Sequence, residues 1–100
     1  MSKTKPVDRA LDLLGRRWAL RLVWELRHST LAFSELRERT GISPSVLSAR
    51  LAELVGAGVL ERDGAGRYRL SGHGRELSRI LYEINRWAEQ AGVSSRSELA

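Results

Sequence analysis

The sequence contains no cysteine. Disulfide bridges, zinc–thiolate sites and thiol redox sensing are therefore excluded. No apolar run approaches the ~18 residues of a membrane span. The start, MSKTKPVDRA, lacks the apolar core of a signal peptide, so a cytoplasmic protein is expected. Histidine is scarce, with only His28 and His73. Catalysis needs a nucleophile–base pair or paired carboxylates in a pocket, and Ser71-Gly72-His73 reads more simply as a helix start than as a dyad. Gly64-Ala65-Gly66 lacks the lysine and the helix context of a phosphate loop. The histidines and carboxylates show no metal-ligand spacing. No catalytic residue, no metal and no cofactor is expected.

What is present points to an anionic partner. The chain has 100 residues, enough for one domain, and no internal repeat. Its formal net charge is +5 and its pI is near 10.7. Most of the positive excess lies before residue 59, while residues 73–100 are balanced. A basic balance in a small domain favours nucleic acid first.

The organising stretch is Phe33 to Leu60, FSELRERTGISPSVLSARLAELVGAGVL. It reads as two helices and a tight turn. Ser34 is the expected N-cap of the first helix. Gly41 stops it, because glycine adopts the left-handed C′ conformation without strain. Ser43 is the expected side-chain cap of the second helix, with Pro44 at its first position. That second helix spans 44–57 and ends before Gly58. Leu47, Leu51, Leu54 and Gly58 form its buried stripe. Ser45, Val46, Ser48, Ala49, Ala52 and Glu53 are then expected to point outward, with Arg50 at the boundary. Two helices around a short glycine-containing turn make a helix-turn-helix.

Around it the pattern is mostly helical. Residues 1–6 read as a flexible arm, in which Lys3 and Lys5 are available to phosphate. Val7 to Leu14 form a helix with Val7, Leu11 and Leu14 on one face, and Gly15 breaks it. Arg16 to His28 read as a second helix, a central strut with Trp18, Leu22 and Leu26 on one stripe and Leu20 and Trp24 on another. Arg16 and Arg17 stand at its start, within reach of a phosphate. Ser29 to Phe33 lean towards a short strand beside a later hairpin. Residues 59–62, the turn Asp63-Gly64-Ala65-Gly66 and residues 67–70 read as that hairpin, Asp-Gly being a strong turn signal. Tyr68 and Leu70 share one of its faces, Arg67 and Arg69 the other. A long helix over 71–91 starts at the N-cap Ser71. Leu77, Ile80, Leu81, Ile84, Trp87, Ala88 and Ala91 follow a 3-4 spacing along it. A frayed tail is expected over 92–100.

A helix-turn-helix followed at once by a basic hairpin predicts a winged helix-turn-helix, mainly α with a small β-hairpin wing (an α+β class). The second helix of the pair would enter the major groove of double-stranded DNA, whose edges carry the full base code. Ser34, Ser43, Ser45, Val46, Ser48, Ala49 and Arg50 are the expected contacts there. Arg62, Arg67 and Arg69 on the wing (59–70), with Arg16 and Arg17, are the expected backbone and minor-groove contacts. Residues 8–87 resemble the HxlR branch of the MarR-like winged-helix regulators. The resemblance is carried by Leu14-Gly15 with Trp18, Phe33-Ser34-Glu35-Leu36, Ile42-Ser43-Pro44 with Leu47 and Arg50-Leu51, Gly58 to Arg62, and Tyr68 to Leu70 with Gly74 and Leu77. It implies a bacterial single-domain transcription regulator, homodimeric through its first and last helices. Against the family's pattern this wing is short, and Ser45 and Ala49 stand where lysine and glutamine are common.

The apolar stripes predict the same dimer. Val7, Leu11, Leu14, Leu20, Trp24, Leu77, Leu81, Ile84, Trp87, Ala88 and Ala91 are the expected interface between two copies. With no separate ligand domain, any small-molecule effector would bind between helices or subunits. The alternative reading is a winged-helix protein-interaction module that has lost specific DNA binding.

Overall fold

The computed structural model describes residues 5–92. Lys3, most of the expected arm and nearly all of the expected tail lie outside that range. The described chain forms α1 (Pro6–Leu14), α2 (Ala19–Glu25), α3 (Phe33–Thr40), α4 (Pro44–Gly56), β1 (Leu60–Arg62), β2 (Tyr68–Leu70) and α5 (Gly72–Gln90). Pro6, expected in the flexible arm, is already helical, and Lys5 before it is extended. A proline at the first position loses no needed N–H and presets φ.

The fold is built on α3 and α4. Gly41 is left-handed at φ 72°, and its N–H bonds to the Arg37 carbonyl at 2.8 Å. Thr40 closes the same turn, donating its Oγ1 to the Leu36 carbonyl at 2.7 Å. Ile42 is then buried, which plugs the turn into the core. Leu36 from α3, Leu47, Leu51 and Leu54 from α4, and Leu22 and Val23 from α2 are fully enclosed. Each such side chain contributes roughly 1.5–3 kcal/mol by leaving water.

Leu31 packs from the α2–α3 connection and exchanges backbone hydrogen bonds with Tyr68 at 2.9 and 2.8 Å. The expected strand over 29–33 is therefore a single bridge, because α3 begins at Phe33. β1 and β2 are antiparallel, with Leu60 opposite Leu70, Glu61 opposite Arg69 and Arg62 opposite Tyr68.

Three expectations are corrected. The helix predicted over 16–28 begins only at Ala19, because Trp18 adopts φ 78°. A left-handed tryptophan costs roughly 1–2 kcal/mol; packing of its half-buried ring against the core offsets that cost. Ser34 is not an N-cap but lies inside α3. The cap is Ala32, whose N–H donates to the Glu35 carboxylate at 2.8 Å. Ser43 does occupy the cap of α4, yet its side chain makes no capping hydrogen bond.

Ser71, by contrast, caps as expected. Its Oγ accepts from the Gly74 N–H at 2.9 Å and donates to the Gly58 carbonyl at 2.6 Å. Its own N–H bonds to the Val59 carbonyl at 3.0 Å. Gly74 faces that carbonyl so closely that a Cβ there would overlap it and press on the Leu70 side chain. A Gly74→Ala variant gains about 1 kcal/mol of helix propensity and loses more to overpacking against rigid backbone, where costs run about 1–3 kcal/mol. The urea midpoint of Gly74→Ala should therefore fall, whereas a solvent-facing change in the same helix, Arg79→Ala, should leave it nearly unmoved.

Candidate nucleic-acid interface

The first two turns of α4 expose Ser45, Ser48 and Ala49, preceded by Ser43 and followed by Ala52. None is bulky and none is charged, so a groove edge can approach the backbone closely. Val46 differs from the expectation: it is half-buried and packs on the core. Glu53 is also half-buried, because it anchors a cluster of arginines.

Arg50 is that cluster's centre. Its Nε donates to the Arg17 carbonyl at 2.9 Å, and its Nη1 lies 3.2 Å from Glu53. The Nε of Arg16 lies 3.8 Å from the same carboxylate. The Arg17 guanidinium stacks 4.7 Å from the Trp18 ring centroid. The left-handed turn at Trp18 thus places Arg16 and Arg17 beside the middle of α4. Arg50 and Arg16 share one carboxylate while Arg17 faces a ring, which leaves the cluster positive. Arg50 is a strut between α4 and the start of α2, with its Nε and Nη1 already engaged.

The wing arginines are held in the same manner. Arg62 stacks 4.8 Å over Tyr68 and donates to the Gly66 carbonyl at 3.2 Å. Arg67 pairs with Asp63 at 3.0 Å, and Arg69 with Glu61 at 2.8 Å. Such exposed pairs are worth about 0–1 kcal/mol, so they orient the guanidinium groups without fastening them. Ser34 is exposed on α3. Arg37 and Arg39 beside it have no carboxylate partner among the described residues. Sequence reasoning passed over both. The available signal was two arginines on the solvent side of the motif's first helix.

Of the expected dimer residues, only some are free. Val7 and Leu11 on α1 are 57% and 65% exposed, and Ile84 and Trp87 on α5 are 48% and 64% exposed. Ala91 is exposed and Ala88 half-buried. Leu81 is corrected: it is buried in the chain's own core. Leu20, Trp24 and Leu77 pack against that core as well, and Trp24 stacks on Tyr82 with ring centroids 5.3 Å apart. The single stripe expected on α5 is two. Gly74, Ser78 and Leu81 face inward, while Ile80, Ile84 and Trp87 face out. Leu14 lines an apolar groove of about 540 Å³ between α1, the end of α4 and α5, with Leu13, Leu77 and Ile80. His28 bonds to the Tyr82 hydroxyl at 2.9 Å, and His73 lies 3.8 Å from Glu76.

Asp63 gives the wing a pH dependence. The Arg67 N–H bonds to its Oδ1 at 2.9 Å and holds its carboxyl below the ordinary value of 3.8; the Ala65 N–H and the Arg67 side chain act in the same direction. A depressed carboxyl stabilises the fold fully above its unfolded-state value and loses that contribution as pH falls through the folded value. The wing should therefore hold above pH 3.8 and loosen only below it. Amide exchange at Ala65 and Arg67 would show this directly, and Asp63→Ala should show the loosened pattern already at neutral pH.

Comparison with known proteins places this geometry. Residues 13–95 match the HxlR-like helix-turn-helix family. The HTH-type transcriptional regulator YvaP of Bacillus subtilis is 36% identical over 90 residues, covering 83% of each chain. A Mycobacterium tuberculosis HTH-type transcriptional regulator, Rv3095, is 32% identical over 90 residues, covering 84% of this chain but 57% of that longer protein. The crystal structure of quinone-bound YodB from B. subtilis superposes with a TM-score of 0.79 at 31% identity, covering 87% of this chain and 99% of that one. With its helix pair, its two-stranded wing and a family match over most of its length, the chain belongs to the HxlR-like helix-turn-helix family of transcriptional regulators.

Proposed function

We propose that the protein is a sequence-specific regulator that binds double-stranded DNA as a homodimer, with α4 in the major groove and the hairpin along the backbone. The observation that carries this reading is the surface of α4. Its first two turns are small, exposed and free of carboxylates; Arg16 and Arg17 lie beside Arg50 and Glu53 further along it, and Arg37 and Arg39 are exposed on the preceding helix. Serine hydroxyls and the alanine methyl can meet base edges directly. The arginines supply the sequence-independent phosphate term. Among the described residues no helix is long and apolar enough to cross a membrane, in keeping with a cytoplasmic regulator.

The exposed stripes support the dimer. Val7 and Leu11 follow one helical face of α1, and Ile80, Ile84 and Trp87 follow one face of α5. A second copy related by a two-fold axis would cover both. It would also set the two α4 helices roughly 34 Å apart, one turn of DNA, and require a palindromic site.

Two measurements test these readings separately. Arg67→Gln and Arg37→Gln should each weaken binding to every duplex by a similar factor and lower the salt slope by about one. A loss confined to one sequence would mean base reading instead. Ile84→Glu with Trp87→Glu replaces residues that the single chain leaves in water, so the helical content should hold. Light scattering should then report a monomer, and DNA affinity should drop. A wild-type chain that is monomeric at micromolar concentration while binding DNA tightly would overturn the dimer.

A further inference from the structure

A second cleft, of about 200 Å³, opens where the end of α2 meets β2 and the first turn of α5. Its wall carries Arg27, His28, Arg69 and Arg75 with the hydroxyl residues Ser29 and Thr30, and no carboxylate. Around Glu53 and Asp63 the arginines are arranged about an acid. Here only Arg69 has one, Glu61 at 2.8 Å.

Arg27 donates its Nη1 to the Trp24 carbonyl at 2.7 Å and stacks 3.9 Å over the Trp24 ring, and its Nε has no acceptor among the described residues. Arg75 reaches only the Leu70 carbonyl, at 3.4 Å. Carbonyls and a ring hold these guanidinium groups in place without cancelling their charge. His28 uses Nε2 on Tyr82, which leaves its other ring nitrogen available.

We propose that this cleft is a binding site for the phosphate group of a small phosphorylated molecule. Planar guanidinium groups meet phosphate oxygens in pairs, and the Ser29 and Thr30 hydroxyls can donate to a remaining oxygen. An anion there also relieves the mutual repulsion of Arg27 and Arg75. A small ligand fits better than a DNA backbone for a positional reason. Neither α4 nor the wing turn at residues 63–66 contributes to the wall. The occupant would tie the end of α2 to β2 and α5, the elements that set the direction of the last helix.

Inorganic phosphate is the probe. It is titrated into the full chain by calorimetry and thermal shift, against sodium chloride matched for ionic strength. The expected result is saturable binding and a melting temperature raised by phosphate and not by chloride. Arg75→Gln should weaken phosphate binding about tenfold, the worth of one charge-assisted hydrogen bond. Arg27→Lys, which keeps the charge and loses the planar fork, should weaken it as well. Arg86→Gln, outside the cleft, should bind like wild type. A chloride-like response, or undiminished phosphate affinity in both folded cleft variants, would overturn the proposal. So would an equal loss of duplex DNA affinity in Arg75→Gln with phosphate competing against DNA, since the cleft would then be a backbone contact.

Discussion

The Val59 carbonyl is the point through which the helix pair, the wing and the last helix are joined. It accepts the Ser71 N–H at 3.0 Å, and Gly74 presses against it with no room for a side chain. The Ser71 hydroxyl adds bonds to the Gly58 carbonyl and the Gly74 N–H. Only residues 57–59 separate α4 from β1, so this joint connects the exposed helix of the motif, the wing and α5 within a few ångströms of backbone. Backbone hydrogen bonds and a close contact are short-ranged and directional. The angle between α4 and α5 is accordingly held by the joint, while the larger apolar core supplies the cohesion.

The electrostatics follow from how the arginines are restrained. On the wing and at the start of α2 most of them face a carboxylate or a ring. Exposed ion pairs of this kind cost little to exchange, and a phosphate returns released counterions in place of the lost pair. The restraint therefore orders the side chains before any encounter and spends little affinity on doing so. Arg37 and Arg39 have no ion-pair partner among the described residues, although the exposed Glu35 and Glu38 balance them on the same helix. Exposed charges act on a polyanion at distances up to about 8–10 Å in physiological salt.

Much of this was legible in the sequence because the signals are local. Gly41, Pro44, the Asp63-Gly64 turn and Ser71 each act through their own backbone, and each ended or started an element within a residue or two of the reading. Where the reading missed, a tertiary contact overrode the pattern. Trp18, Leu22 and Leu26 have helical spacing, yet the chain turns left-handed at Trp18 to seat its ring. Glu35 reaching back to the Ala32 N–H made alanine a better cap position than Ser34. Val46 and Leu81 sat on apolar spacings compatible with two faces, and only the neighbouring core chose between them. Arg50 was placed at the boundary of the stripe, where it is half-buried; periodicity gives a direction to the Cα–Cβ bond and could not show its guanidinium turning to the Arg17 carbonyl and Glu53.

The same ambiguity on α5 carries a structural meaning. Its inward stripe, Gly74, Ser78 and Leu81, is small at the N-terminal end and stops at Leu81. Small residues let the helix approach the hairpin closely at the Val59 joint. Beyond the Trp24–Tyr82 contact, the remaining turns to Gln90 bury no residue in their own chain. At 1.5 Å per residue, the eight residues after Tyr82 extend about 12 Å further, with Asn85 and Ala88 only half-buried. A helix end with little tertiary packing is marginal in water. In the proposed dimer those turns lie against a partner, so the order of the final helix and the separation of the two α4 helices are set by one association. Stability then depends on protomer concentration, and the interface that positions the DNA-reading surfaces also completes the fold.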